Sequence, residues 1–198
     1  DEERRAKQLL EIDGLLDSER QIAFENIDTG KVDDPNNPYR IIYEAIHHSI
    51  SPRGFFIMSG TPGSGKTTLM MAAINEARNK KYASLYVVLK QVLDHLRDAY
   101  KPGSVVTYDG RWELLTNGAS VLAIDEFGFD NQTPWTMAQL ESLVDERWRQ
   151  RDRKMTMFAT NLTRNDIEAM SGKIASRLFG EATIKLSLGK VDLRKYIR

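Results

Sequence analysis

Residues 54–73 read Gly-Phe-Phe-Ile-Met-Ser-Gly-Thr-Pro-Gly-Ser-Gly-Lys-Thr-Thr-Leu-Met-Met-Ala-Ala, with a glycine-rich loop between an apolar run and a helix-compatible segment. This order of strand, loop and helix is the context in which such a loop binds phosphate. Glycine lets the backbone turn so tightly that successive N–H groups point at phosphate oxygens, at the positive end of a helix. The candidate nucleotide-binding residues are Gly60, Thr61, Pro62, Gly63, Ser64, Gly65, Lys66, Thr67 and Thr68.

Two side chains at the end of this loop have separate predicted roles. Lys66 adds a positive charge over the outer phosphates of ATP, and Thr67 places its hydroxyl on Mg²⁺. The simpler interpretation is a glycine turn that only opens a helix. A nucleotide site also needs an acid at the end of a neighbouring strand, so the downstream sequence separates the two interpretations.

An acidic pair, Asp125 and Glu126, follows the apolar run 121–124. Consecutive residues at a strand end point in different directions, so the two carboxylates can serve different purposes. We expect Asp125 to hold the Mg²⁺ shell and Glu126 to polarise a water for attack on the γ-phosphate. This arrangement predicts hydrolysis of ATP. The simpler interpretation is that Asp125 and Glu126 are two solvated charges. The presence of the glycine-rich loop in the same chain argues against it.

Three further residues are candidates for completing the catalytic site. Asn161 follows another apolar strand, and its amide can hydrogen-bond the attacking water or the γ-phosphate. Arg177 can reach a neighbouring subunit and stabilise charge on the transferring phosphoryl group. Arg194 is a candidate for the same phosphates within its own subunit. A turn-forming role for Asn161 and surface ion pairs for both arginines stay open.

Strand and helix patterns alternate along the chain. Alternation of this kind predicts a parallel α/β sheet covered by helices on both faces. The predicted strands are 54–59, 83–89, 120–124, 154–159 and 182–188, and the predicted helices are 39–50, 66–80, 90–100, 137–150 and 164–170. A helical extension over residues 1–22, with a break at Gly14, is expected to precede a core domain over residues 23–198.

The composition of the 198 residues excludes several classes of protein. The 28 basic and 28 acidic residues balance, so no global field marks a nucleic-acid-binding protein. The absence of cysteine excludes disulfide scaffolds and thiolate metal sites. The three histidines, His47, His48 and His95, are too few and too scattered for a metal cluster. No apolar run approaches the length of a membrane span, so we expect a cytoplasmic protein without membrane contact.

Taken together, these motifs resemble the DnaC/IstB-type branch of the AAA+ ATPases, which contains bacterial and phage helicase loaders and insertion-sequence transposition helpers. The matching stretches are 23–27, 60–67, 121–128, 160–162 and 174–178. The resemblance implies a three-layer P-loop fold without a large helical lid. It also implies that Asn161 is the first sensor, Arg177 the arginine finger and Arg194 the second sensor. Lys173 and Ala159 depart from residues common in such proteins, but neither change removes a catalytic group.

This resemblance implies partners as well. It implies a homo-oligomer, in a spiral or a ring, that holds single-stranded DNA and loads a replicative helicase onto it. The alternative within the same branch is a helper that delivers target DNA to a transposase. Candidate DNA contacts are Lys90, Arg97, Tyr100, Lys101 and Tyr108, and a solvated helix face explains them equally well. The basic run 147–154 is expected at a subunit interface, with DNA contact or solubility as alternatives.

Two other classes of function stay open. A P-loop kinase for a small molecule needs an acceptor pocket and an arginine-bearing lid, where this chain has Asn161 and a Ser-Arg-Leu stretch at 176–178. An ATP-gated adaptor with vestigial hydrolysis needs only nucleotide binding. Phosphate transfer to an acceptor other than water distinguishes the first class, and the behaviour of a Glu126→Gln variant distinguishes the second.

Overall fold

The computed structural model describes residues 12–27, 36–47, 51–98, 107–128 and 133–189. Two 3₁₀ turns, Asp17–Gln21 and Phe24–Asn26, precede the core. The strands are β1 Gly54–Ser59, β2 Ser84–Val88, β3 Val121–Asp125, β4 Met155–Thr160 and β5 Ile184–Ser187. The helices are α1 Pro38–His47, α2 Lys66–Asn79, α3 Leu89–Asp98, α4 Tyr108–Glu113, α5 Pro134–Arg149, α6 Arg164–Met170 and α7 Gly172–Leu178, and a π-helical turn, Leu114–Gly118, follows α4.

The strands form one five-stranded sheet in the order β2-β3-β4-β1-β5. Every neighbouring pair is parallel. The carboxyl ends of all five strands therefore lie at the same edge of the sheet. This arrangement brings the loops after β1, β3 and β4 together, although long stretches of sequence separate them.

Helices cover both faces of the sheet because successive side chains of a buried strand point in opposite directions. Phe55 and Ile57 of β1 pack into one apolar cluster with residues of α3, α5 and α7. Phe56 and Met58 pack into a second cluster with residues of α1 and α2. The predicted three-layer α/β fold is confirmed. Within the described ranges, no large helical lid accompanies the sheet.

Most predicted elements are present, with bounds shifted by a few residues. The sequence patterns did not predict α4, the π-helical turn or α7. These elements are short, and side-chain caps define two of their starts: Thr107 accepts a hydrogen bond from the Gly110 N–H, and Ser171 accepts one from the Ile174 N–H. Short capped turns carry little apolar periodicity, so a pattern search passes over them.

The segment before α1 differs from the predicted helical extension. Residues 1–11 lie outside the described part of the chain, and Ile12 is helical. The chain leaves the helix at residue 13, close to the break expected at Gly14, and the segment beyond it forms a 3₁₀ turn. Asn75 of α2 donates hydrogen bonds to the carbonyls of Glu19 and Ile22 and holds this turn against the core. The boundary proposed at residue 22 stays a prediction.

The basic run 147–154 was expected at a subunit interface, and for Arg147 this prediction is wrong. Its side chain is completely buried, and its guanidinium donates to the carbonyls of Thr116, Ala119 and Met155. A fourth hydrogen bond joins its Nε to the hydroxyl of Thr156 at 2.8 Å. Arg147 therefore ties α5 to the π-helical turn and to β4, and it is unavailable to a partner subunit or to DNA.

No helix in the described ranges combines the length and the apolar character that crossing a membrane requires.

Candidate nucleotide-binding site

A cleft lies at the carboxyl edge of the sheet, between the loops after β1, β3 and β4. The predicted residues that line it are Pro62, Gly63, Ser64, Gly65, Lys66, Thr67, Thr68, Asp125, Glu126 and Asn161. Ala159 and Thr160 at the end of β4 complete its wall. Parallel strands bring these segments together because all of their carboxyl ends meet at one edge, where ligands of open α/β sheets bind.

Two glycines give the loop its shape. Gly65 precedes α2 with φ +91°, a left-handed conformation that favours glycine. At Gly60 there is no room for a side chain, because an added Cβ would lie 2.5 Å from the Leu188 carbonyl oxygen and 2.7 Å from Ser64 Oγ. The loop therefore packs directly against the backbone that follows β5, and a side chain at position 60 would push it away.

Lys66 is buried at the floor of the cleft. Its ammonium donates to the carbonyls of Gly60 at 2.7 Å and Thr61 at 3.0 Å, and it lies 3.4 Å from Ser64 Oγ. Burial lowers the pKa of this ammonium, and the Asp125 carboxylate opposes that shift. The loop carbonyls thus hold a positive charge at the place where an incoming phosphate needs one.

Asp125 lies at the centre of a hydrogen-bond network. Thr67 Oγ1 donates to Asp125 Oδ2 at 2.6 Å, and the Tyr86 hydroxyl donates to the same oxygen at 2.8 Å. The other carboxylate oxygen accepts from the Glu126 N–H at 2.7 Å. Burial and the nearby Asp125 raise the pKa of Tyr86, so its hydroxyl remains a donor at neutral pH.

The hydroxyl of Thr67 and the carboxylate of Asp125 fit a magnesium ion. Both are hard oxygen donors, and Mg²⁺ binds through one or two protein oxygens together with water and phosphate. The described residues contain no cluster of three or more His, Cys, Asp or Glu side chains that would form a protein cage for a metal. An ion at this place would therefore depend on the phosphates of a bound nucleotide.

Glu126 follows Asp125 in the turn after β3. Its backbone adopts φ +53°, which is uncommon for a residue with a side chain and is found at functional sites. The side chain is exposed and lines the cleft. Asp125 is thus buried and hydrogen-bonded, whereas the neighbouring Glu126 is exposed, and the separate roles expected for the two carboxylates stay a prediction.

Asn161 follows β4 and lines the same cleft. Thr160 fixes the backbone there, because its hydroxyl donates to the Phe127 carbonyl at 2.7 Å and accepts from the Leu162 N–H at 3.0 Å. Sequence reasoning missed Thr160. A polar residue at the last position of an apolar strand was the available signal.

Arg177 lies outside the cleft. Its Nε and Nη2 donate to Asp145 Oδ1 at 3.1 and 3.0 Å, and its guanidinium carbon lies 4.1 Å from the centroid of the Trp148 ring. Arg177 is thus a half-buried member of the contact between α7 and α5 within this chain. Arg194 lies outside the described residues.

The described members of the candidate DNA-contact set differ in their contacts within the chain. Arg97 pairs with Asp94 at 3.0 Å and lies over the Trp135 ring, and the Tyr108 hydroxyl donates to Gln139. Lys90 is exposed, whereas Tyr100 and Lys101 lie outside the described residues. Trp135 and Gln139 lie one turn apart on α5, so Arg97 and Tyr108 contact the same helix, and DNA contact by this set stays a prediction.

The fold and the cleft together resemble those of AAA+ P-loop proteins, with the glycine-rich loop after β1 and the acidic pair after β3. No protein-family model matches the sequence. AMPPCP-bound DnaA from Aquifex aeolicus is similar in structure, with a TM-score of 0.69 and 18% identity, over 89% of this chain and 56% of that one. A DnaC helicase loader has a TM-score of 0.67 and 16% identity, over 88% of this chain and 100% of that one. At these identities, the likeness shows the fold.

Within this class, the sequence is similar to DnaC. The replicative helicase loader DnaC of Escherichia coli strain K12 is 24% identical over 135 residues, which are 67% of this chain and 51% of that protein. The chain thus spans about half the length of the curated relatives it matches. These findings confirm the resemblance to DnaC-type AAA+ ATPases that the motifs predicted.

Proposed function

We propose that this chain binds and hydrolyses ATP with Mg²⁺, and that it uses ATP to load a replicative helicase onto single-stranded DNA. The observation that carries the proposal is the contact between Thr67 and Asp125, at 2.6 Å, inside a cleft that Lys66, Glu126 and Asn161 also line. Hydroxyl, carboxylate, ammonium and amide groups at one place are the set that ATP hydrolysis requires.

In this proposal, the loop and Lys66 bind the phosphates. Thr67 and Asp125 hold Mg²⁺, which when bound neutralises charge on the phosphate oxygens. The loop leads into the start of α2, where the helix dipole favours an anion. The Lys66 ammonium would exchange its contacts with the Gly60 and Thr61 carbonyls for contacts with the outer phosphates.

Glu126 and Asn161 act on the attacking water. The exposed Glu126 carboxylate accepts a proton from the water, and the Asn161 amide holds that water or the γ-phosphate in place. Arg177, provided by a neighbouring protomer, stabilises the charge of the transferring phosphoryl group, and Arg194 contacts the phosphates within its own protomer. The site is therefore completed by assembly, in a spiral or a ring of copies of this chain.

The helicase-loading task rests on the similarity to a replicative helicase loader over two thirds of this chain. The replication initiator DnaA bound to AMPPCP and single-stranded DNA is similar in fold, with a TM-score of 0.69 and 20% identity. The second candidate is a transposition helper, which uses the same site with a transposase as partner. Selective retention of purified replicative helicase over purified transposase on the immobilised protein supports helicase loading, and the opposite selection supports the helper.

The direct test measures phosphate release from ATP by the purified protein. We expect Mg²⁺-dependent hydrolysis by the wild type, loss of nucleotide binding in Lys66→Ala, and retained binding without hydrolysis in Glu126→Gln. Phosphate transfer to an acceptor other than water would instead assign a kinase. Full DNA and partner function in Glu126→Gln through many cycles would assign an adaptor with vestigial hydrolysis.

A further inference from the structure

Tyr86 lies beside the acidic end of β3, on a strand that the motifs did not connect with the nucleotide site. In the parallel register, Tyr86 of β2 is opposite Ala123, two residues before Asp125. Its side chain is buried, with 3% of its surface exposed. The ring packs in the apolar cluster that includes residues of α1 and α2, and its hydroxyl donates to Asp125 Oδ2 at 2.8 Å.

The Asp125 carboxylate accepts from three donors of different origin. Glu126 is its neighbour in sequence, and Thr67 belongs to the phosphate-binding loop. Tyr86 is the one of these three donors that belongs neither to that loop nor to the segment carrying Asp125. Thr67 also has a predicted role on the metal, whereas the Tyr86 hydroxyl donates its hydrogen bond to the carboxylate.

The backbone of Tyr86 is itself anchored by the segment before the core. Because β2 is the edge strand, its outer side is open to pairing. Gly14 donates to the Tyr86 carbonyl at 2.8 Å, and Tyr86 donates to Asp13 Oδ1 at 3.3 Å. Asp13 is buried and pairs with Arg20 at 3.0 Å and Arg78 at 2.9 Å. Both ends of Tyr86, the peptide and the hydroxyl, are therefore fixed.

We propose that Tyr86 is a positioning residue that orients the Asp125 carboxylate for Mg²⁺ binding. This inference rests on the proposed function. Groups that hold a metal ligand in place raise the affinity for the metal, because they remove orientations that the ligand would otherwise sample. Among the described residues, loss of the hydroxyl leaves Asp125 Oδ2 with Thr67 as its remaining donor and lets the carboxylate rotate.

The test compares Tyr86→Phe with the wild type and with Tyr82→Phe. Tyr82 lies four residues earlier, just before the same strand, so this control removes a tyrosine hydroxyl at a distance from Asp125. Binding of a fluorescent ATP analogue is titrated with Mg²⁺ and repeated in EDTA, and thermal unfolding is recorded for all three proteins.

In Tyr86→Phe we expect the Mg²⁺ concentration at half-saturation to rise about tenfold. Nucleotide affinity in EDTA should equal that of the wild type, and Tyr82→Phe should match the wild type throughout. A Tyr86→Phe protein with the wild-type Mg²⁺ dependence overturns the inference, as does an equal loss of affinity with and without Mg²⁺. If the wild type itself binds no ATP, the proposed function fails, which is a different result.

Discussion

Arg177 donates two hydrogen bonds to one carboxylate oxygen of Asp145, through Nε at 3.1 Å and Nη2 at 3.0 Å. The same guanidinium lies over the Trp148 ring, 4.1 Å from its centroid. A residue predicted to act in a neighbouring active site is thus held by its own protomer. To reach a neighbour, Arg177 must leave both contacts, and assembly has to supply the compensating interactions.

Arg177→Ala should bind ATP with unchanged affinity and lose hydrolysis. An arginine that stabilises the transferring phosphoryl group accelerates hydrolysis by roughly a thousandfold or more, so the loss should be of that size. Phosphate release and analogue binding measure the two properties separately. Arg149→Ala is the matched control, because Arg149 also pairs with Asp145, at 2.7 Å, and is not a candidate finger. Equal losses in both variants would point to the Asp145 contact alone.

Mixtures of inactive variants test whether Arg177 acts between protomers. In hybrid assemblies, an Arg177→Ala protomer retains an intact phosphate site, and a Lys66→Ala protomer retains the finger. We expect partial recovery of phosphate release when the two are mixed, with a maximum at intermediate ratios. No recovery at any ratio, under conditions where both variants assemble, argues against a finger supplied in trans.

Arg147→Met should destabilise the fold strongly. The substitution keeps much of the volume but leaves the carbonyls of Thr116, Ala119 and Met155 without their donors in a buried place. Each unsatisfied buried group costs about 1–3 kcal/mol, so we expect a loss of roughly 3 kcal/mol or more in the free energy of unfolding. Urea denaturation measures this loss.

The control for Arg147 is Arg149→Met, on the same helix and exposed. A surface change of this kind should stay within about 0.5 kcal/mol of the wild type. Burial lowers the pKa of Arg147, yet its guanidinium stays protonated at neutral pH, so the comparison at pH 7 concerns the charged side chain. Similar stabilities for the two variants would contradict a structural role for Arg147.

Gly60→Ala should weaken nucleotide binding by displacing the loop. The new methyl group would meet the Leu188 carbonyl oxygen at 2.5 Å, and backbone must shift to relieve that contact. Overpacking of this kind destabilises by about 1–3 kcal/mol, and the shift acts directly on the loop that contacts Lys66. Thermal unfolding and analogue binding record both effects.

Gly172→Ala provides the comparison for Gly60. A Cβ at position 172 meets nothing within 4 Å, and the residue begins α7. Alanine is favoured over glycine in a helix, so this variant should be as stable as the wild type or slightly more stable. Unchanged ATP binding in both alanine variants would show that the space around Gly60 does not control the loop.

Local sequence determined the phosphate loop and its acidic partner. Residues 55–67 carry the strand, the glycine turns and Lys66 in one continuous stretch, so their geometry follows from neighbours along the chain. Asp125, Glu126 and Asn161 each follow an apolar strand. Parallel pairing places such strand ends at one edge of the sheet. These residues were therefore predictable, and the cleft contains them.

Only the tertiary structure decided which residues distant in the sequence contact one another, at the site and away from it. Tyr86 reaches Asp125 because β2 lies beside β3, and Arg147 is buried because α5 packs over the π-helical turn and β4. Arg177 pairs with Asp145 for the same kind of reason, since α7 packs on α5. Strand order and helix packing bring together residues that are far apart in the chain. The spacing of residues within a short stretch of sequence does not predict these contacts.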